Sequence, residues 1–160
     1  MRGNTDQIPT SRPYWEITPL QEMTQEQWEA LCDRCGRCCL HKICDDETDE
    51  IYYTSVACRL LDINTCQCTD YPNRLRRVRD CITLTAKMLP KINWLPPDCA
   101  YRRVSEGKSL PPWHPLLTHT PQSVISAGAS VSGRCISERQ AGALEDYLVT
   151  WPQESASPCP

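Results

Sequence analysis

The segment LCDRCGRCCLHKIC, residues 31–44, places five cysteines in fourteen positions. Three of them, Cys32, Cys35 and Cys38, form the C-x2-C-x2-C run with which bacterial ferredoxins hold three corners of an iron–sulfur cluster. Part of this run also suits zinc, because a C-x2-C turn presents two thiolates and a second pair elsewhere completes a tetrahedron. Thiolates bind zinc, clustered iron or cuprous copper in preference to magnesium and calcium. The spacing therefore predicts a thiolate metal site.

Cys39 indicates a second site beside the first. It directly follows Cys38, and adjacent side chains project in different directions, so we expect the two thiols to face two neighbouring metal centres. Enough thiols follow to complete two four-coordinate centres: Cys58, Cys66, Cys68, Cys81 and Cys99. The competing interpretation is that these cysteines form disulfides or are inert buried thiols.

The composition favours the metal interpretation. The 160-residue chain has no Phe, 7% aromatic residues and 14 prolines, which leaves a thin hydrophobic core for one domain. It shows neither the apolar start of a secretory signal nor a run of about 18 apolar residues, so we expect a cytoplasmic protein that does not enter the membrane. Clustered thiols in a reducing compartment are usually metal ligands or redox groups. The net charge of −3 argues against nucleic acid as a partner.

Short helices and one strand are expected to position these thiols. A helix is predicted to begin at Thr24, where Gln27 completes a capping box, and to end at Cys32. The β-branched and aromatic residues 51–56 predict a strand, and the acidic residues 45–50 predict a solvated turn before it. Further helices are predicted over 73–89, in CAYRRVSEGK (99–108) with Gly107 ending it, and over 138–150 with Ser137 as the cap.

The elements together predict a small, irregular, mainly α fold with short β segments, in which bound metal stabilises a single cysteine-rich domain. Residues 1–23 are predicted to form an irregular N-terminal arm, and residues 24–117 the metal-binding domain. Residues 118–160 are predicted to form a polar linker, the helix at 138–150 and a frayed tail.

The order CDRCGRCC, ACRLL, TCQCTDYPNR and CAYRRVSEGKSLPPWHPLL, within residues 14–117, resembles the bacterial YcgN-like family. That family is a branch of the zinc- or iron-chelating CxxCxxCC proteins, which also include YkgJ-like members. The resemblance implies a small cytoplasmic protein without an assigned reaction. It implies eight ligands: Cys32, Cys35, Cys38, Cys39, Cys58, Cys68, Cys81 and Cys99. Cys66, in the YcgN-like TCQC, is a ninth candidate as an alternate or bridging ligand. The wider pattern often has Arg-Pro after its tyrosine, whereas this chain has Pro72 directly after Tyr71 and a longer spacer, so the pairing of thiols with sites stays open.

Other residues carry weaker signals. Cys44, Cys135 and Cys159 lie outside the pattern and receive no role. His41 is close enough in sequence to replace a thiol, and His114, held between prolines, is either a pre-oriented ligand or proton carrier or a histidine satisfied by a backbone carbonyl. His119 has the same two interpretations. The arginines 74, 76, 77 and 79 either offset thiolate charge, bind phosphate or RNA, or form a solvated helix face.

No serine-hydrolase elbow, phosphate-binding glycine loop or H-E-x-x-H motif is present in the sequence. Three function classes remain. The first is a metal-chelating protein that binds zinc or iron, iron–sulfur clusters included, at two centres, and that passes metal or electrons to a protein partner. The second is a structural zinc module for a protein interaction. The third is an iron-dependent or iron–sulfur enzyme with an open coordination position.

Overall fold

One antiparallel hairpin organises the sheet. In this computed structural model, which describes residues 11–151 and 157–158, strand β1 (Leu40–Cys44) pairs with β2 (Glu50–Ala57). The acidic segment between them is a turn, as predicted, because Asp45 Oδ1 accepts hydrogen bonds from the backbone N–H groups of Glu47 and Thr48. The predicted strand over 51–56 is confirmed within β2.

Three two-residue strands extend the hairpin into a mixed sheet. Strand β3 (Ile136–Ser137) pairs with β2 in parallel, while β4 (Leu148–Val149) and β5 (Ser157–Pro158) pair with it antiparallel. The prediction that the chain after residue 118 is a polar linker was therefore wrong for the described residues. Val131 from this region is fully buried against the core that the hairpin forms.

The helices of the described residues are short. The α-helices are α1 (Tyr14–Ile17), α2 (Gln25–Ala30), α3 (Arg74–Arg77), α4 (Ala100–Ser105), α5 (Pro115–Thr118) and α6 (Gln122–Ser126). The 3-10 turns are Leu20–Glu22, Arg37–Cys39, Tyr71–Asn73, Leu89–Lys91 and Leu144–Tyr147. With this many single turns beside a five-stranded sheet, the prediction of a mainly α fold is met only in part.

Two predicted helix ends are confirmed by their caps. Helix α2 begins after Thr24, whose hydroxyl accepts from the Gln27 N–H while the Gln27 side chain accepts from the Thr24 N–H. Helix α4 is followed by Gly107 in the left-handed region, with φ +72°.

Two predicted helices were wrong in extent or in kind. The helix expected over 73–89 is only α3, because closely spaced arginines are followed by β-branched Val78, Ile82 and Thr83, which favour extended backbone. The helix expected over 138–150 does not form. Instead the Glu138 N–H donates to the Ala57 carbonyl and continues the pairing with β2, so contacts distant in sequence override the local pattern.

Three small clusters share the hydrophobic core. The first packs the sheet against Leu61, Val131 and Trp151, and the second packs Leu31 against the second half of the cysteine-rich region, including Leu95 and Tyr101. The third joins Cys35 to Val124 and Ala129. The described part of the predicted N-terminal arm is also packed, since Trp15, Leu20 and Met23 contact the second cluster. Residues 1–10 of that arm lie outside the described residues.

Candidate metal centre

All nine predicted ligands line one cavity of about 1520 Å³, which we call the thiol cavity. They are Cys32, Cys35, Cys38, Cys39, Cys58, Cys66, Cys68, Cys81 and Cys99, and every one is a free thiol. Cys32 and Cys99, the first and last of them, are more than sixty residues apart in the sequence. The fold therefore brings together the cysteines that the spacing singled out.

Gly36 shapes the turn that carries the first of these thiols. Its φ is +82°, and a Cβ on it would lie 2.6 Å from Val131 Cγ2. Arg34 also adopts a positive φ, so the chain reverses sharply between Cys32 and Cys38. The Val131 N–H donates to the Cys35 carbonyl at 2.9 Å and fixes this turn from the opposite side.

Four thiols form the first thiol group: Cys32, Cys35, Cys38 and Cys99. Burial raises the pKa of Cys32 and of Cys35, and charge on Cys38 adds to both shifts, with a further contribution from Cys99 at Cys32. Cys99 joins from the N-terminal end of α4. Burial raises the pKa of Cys99 to about 12, with Cys38 adding to the effect.

Four other thiols form the second thiol group: Cys39, Cys58, Cys68 and Cys81. The Cys58 N–H donates to the Cys39 carbonyl at 2.9 Å, and charge on Cys58 raises the pKa of Cys39. After burial and the opposing effect of Arg74, charge on Cys58 and Cys68 also raises the pKa of Cys81. Cys68 is held by a bridge to Leu61, three residues after Cys58.

Cys38 and Cys39 connect the two groups. A hydrogen bond from the Cys39 thiol lowers the pKa of Cys38 to about 7, although burial opposes this shift. The same hydrogen bond raises the pKa of Cys39, because the donor must keep its proton. Of the pair, Cys38 is the thiol that loses its proton more readily.

Positive charges lie beside both groups, but mostly not those that the sequence indicated. Arg37, 1% exposed, interacts with the Cys35 thiol and forms a buried ion pair with Asp98. Lys42 lowers the pKa of both Cys38 and Cys39. Sequence reasoning missed both residues, although each lies within four positions of a predicted ligand.

The arginine run behaves differently from one residue to the next. Burial raises the pKa of Cys81, Arg74 partly opposes this shift, and Arg74 also stacks on the Tyr71 ring at 3.8 Å. Arg77 pairs instead with Asp70 at 2.9 Å, and Arg76 donates to Asn73 at 3.3 Å. Arg79 lines the thiol cavity. Within this run the predicted offset of thiolate charge is thus seen at Arg74.

Cys66 lines the cavity beside the Gly36 turn, where its Sγ would lie 3.4 Å from a Cβ on Gly36, but its own contacts are with the core. Its Sγ is 3.4 Å from Ser130 Oγ, it belongs to the first core cluster, and its charge acts on Cys135. Cys44 is disulfide-bonded, which runs against the expectation that this protein keeps its thiols reduced. Cys159 lies outside the described residues.

The histidines have other partners. His114 is fully buried, with Nε2 2.8 Å from the Leu31 carbonyl oxygen and Nδ1 accepting from the Leu116 N–H at 3.0 Å. Of the two interpretations, the structure therefore supports a histidine whose ring nitrogens are hydrogen-bonded within the core. His41 lines the thiol cavity and pairs with Glu138 at 2.6 Å. His119 caps α5 in the left-handed region.

The donor chemistry of the cavity fits zinc or iron, since nine free thiols line it. Within residues 11–151 and 157–158, however, no three or more His, Cys, Asp or Glu side chains are already arranged to hold an ion. Coordination of an ion by these thiols would require their side chains to move closer together. The same part of the chain has no helix with the length and apolar character needed to cross a membrane.

Comparison with known proteins agrees with the cysteine pattern. Residues 31–100 match the CxxCxxCC family, described as "Putative zinc- or iron-chelating domain". The chain is 58% identical to a UPF0260 protein of Gluconobacter oxydans (strain 621H) over 146 residues, covering 91% of this chain and 89% of that protein. It is 57% identical to a UPF0260 protein of Granulibacter bethesdensis over 140 residues (88% and 84% covered). It is 53% identical to one of Shewanella frigidimarina over 139 residues (87% and 94% covered). No solved structure matches. With its thiols gathered at one cavity and relatives of this similarity, the chain belongs to the UPF0260 family and carries a CxxCxxCC domain.

Proposed function

We propose that this protein chelates zinc or iron at two neighbouring thiolate centres. The observation that carries the proposal is the division of eight cysteines into two groups of four around one cavity. Each group has the ligand number of a tetrahedral zinc site or a four-iron cluster. The assignment to the YcgN-like branch and a cytoplasmic location, where thiols stay reduced, are part of this proposal.

In the first centre, Cys32, Cys35, Cys38 and Cys99 are the proposed ligands. In the second centre they are Cys39, Cys58, Cys68 and Cys81. We leave Cys66 out of both sets, because its thiol contacts Ser130 and packs in the first core cluster. A bound ion would supply cross-links between distant segments, and a cluster would in addition supply an electron carrier.

The chain's own residues prepare the cavity for anionic sulfur. Arg37 and Lys42 lie beside the first group, and Arg74 lies beside the second. Four thiolates around a divalent ion carry a net charge of about −2, so these cations lower the electrostatic cost of assembly. Cys38, already disposed to lose its proton, is the expected first ligand.

Elemental analysis of anaerobically purified protein tests the proposal. About two zinc ions per chain in colourless protein support zinc centres, and brown protein with absorption near about 400 nm that dithionite bleaches supports iron–sulfur centres. Protein that retains neither metal contradicts the proposal. Metal that an unrelated control purified in parallel also retains contradicts it as well.

A structural zinc module is the second candidate, because the hydrophobic core is divided into three small clusters beside the cavity. Metal exchange separates the two functions. A chelator or acceptor protein that removes metal within minutes at neutral pH favours transfer, whereas metal that leaves only on unfolding favours a structural role.

A further inference from the structure

Asp33 lies between two proposed ligands and is buried in an unusual way. Its side chain is 8% exposed, and it lines the thiol cavity between Cys32 and Cys35. Oδ1 accepts a hydrogen bond from the Cys35 N–H at 3.1 Å. Oδ2 is buried and has no hydrogen-bond partner among the residues that the structure describes. A buried carboxylate oxygen without a partner is costly unless a cation or a donor binds it.

The turn that Asp33 makes does not require this burial. Asp45 and Asp62 make the same turn, in which Oδ1 accepts from the N–H two residues later, at 2.8 Å in each case. Neither of them belongs to the buried set, and neither has a buried oxygen without a partner. One carboxylate oxygen and a solvent-facing side chain are therefore enough for the turn.

The position of Asp33 is specific to the first thiol group. Its negative charge acts on Cys32, Cys35, Cys38 and Cys99, all four members of that group. The carboxylate therefore lies beside all four thiols of the first group.

We propose that Asp33 Oδ2 is an oxygen ligand of the ion in the first centre, which makes this centre a mixed sulfur and oxygen site and distinguishes it from the all-sulfur second centre. This inference rests on the proposed function. A carboxylate ligand suits zinc and non-cluster iron and gives the two centres different preferences. Arg37 beside Cys35 helps to offset the added negative charge.

X-ray absorption spectroscopy of zinc-loaded, full-length protein tests the inference with each centre in isolation. In the C39S/C81S variant, which retains the first thiol group, the zinc shell should contain sulfur at about 2.3 Å and one oxygen at about 2.0–2.2 Å. In the C38S/C99S variant, which retains the second group, it should contain sulfur only. A sulfur-only shell in both variants overturns the inference while leaving the proposed function intact.

The D33N substitution adds a second measurement, because asparagine keeps the acceptor for the Cys35 N–H. In the C39S/C81S background, D33N should remove the short oxygen contribution and weaken zinc affinity by at least about 10-fold in competition with a chelator. D62N, which alters the same turn at an exposed site, is the control and should leave both unchanged. Equal affinities for D33N and D62N contradict the inference. Wild-type protein that binds no zinc or iron overturns the proposed function and this inference together.

Discussion

Cys38 and Cys39 are adjacent in the chain and their thiols interact, yet each has different thiol neighbours. Cys38 lies with Cys32 and Cys99, whereas Cys39 lies with Cys58. If two metal centres lie side by side, two consecutive cysteines would be expected to face different centres, as these two thiols do. This relationship leads to predictions about metal content, folding, the turn at Gly36 and acid stability.

Double cysteine substitutions should show directly whether the eight thiols form two separate metal sites. Removing two ligands of one group, as in C38S/C99S, should halve the metal content per chain, because the other group stays complete. Removing one from each group, as in C38S/C81S, should weaken metal retention at both centres. Elemental analysis after gel filtration measures the stoichiometry, and C135S, outside both groups, is the control. Equal losses in the two double variants would show that the thiols form a single site.

Metal removal should unfold or expand the protein. The three core clusters are small. None of the proposed ligand cysteines forms a disulfide that would hold together the segments around the cavity. Binding of a structural zinc contributes about 10–16 kcal/mol of apparent folding free energy, so its loss exceeds the net stability of an ordinary domain.

Circular dichroism and gel filtration before and after chelation under reducing conditions measure this effect. Readdition of zinc or ferrous iron should restore the compact form. An apoprotein that stays compact and melts cooperatively at the original temperature would falsify the dependence on metal.

Gly36→Ala should destabilise the protein and lower its metal content. An alanine at φ +82° costs about 1–2 kcal/mol, and its Cβ meets Val131 Cγ2 at 2.6 Å, which adds about 1–3 kcal/mol of overpacking. Gly133→Ala is the matched control, since its φ is +68° but a Cβ there meets nothing within 4 Å. Urea unfolding of the metal-loaded proteins gives the difference. If both variants lose the same stability, the contact with Val131 is unimportant.

Glu138 should support stability at neutral pH and lose this effect in acid. Burial alone would raise the pKa of Glu138, but hydrogen bonds from the Arg59 backbone and from His41 outweigh it and lower the pKa. A carboxylate whose pKa is lower when folded stabilises the protein above its unfolded pKa, near 4.5. That contribution disappears as the pH falls through the folded value.

The E138Q variant should therefore be less stable than the wild type at pH 7, and the difference should narrow as the pH falls below the unfolded pKa of Glu138, near 4.5. Thermal unfolding across this range measures the difference, with E145Q at an exposed position as the control. A gap between wild type and E138Q that is constant with pH would mean that the carboxylate charge has no role.

The sequence was most informative where the signal is local. Thr24 and Gln27 predicted the start of α2 because a capping box needs only residues three apart. The strand at 51–56 followed from residue types, and Gly107 marked the end of α4. The helices expected over 73–89 and 138–150 failed because sheet pairing at Glu138 and β-branched residues after Arg77 outweighed weak local propensity.

The spacing of the cysteines by itself singled out Cys32, Cys35, Cys38 and Cys39, because ligand-bearing turns need particular residue types at short, fixed separations. The family resemblance supplied the five later cysteines, and all nine line the cavity. Only the tertiary structure decided which thiols are neighbours and that Arg37 and Lys42 lie beside them. It also decided that Val131, from the chain after residue 118, packs on the turn at Gly36 and donates to the Cys35 carbonyl. These relationships join residues tens of positions apart. They depend on how the three core clusters pack, which no local pattern encodes.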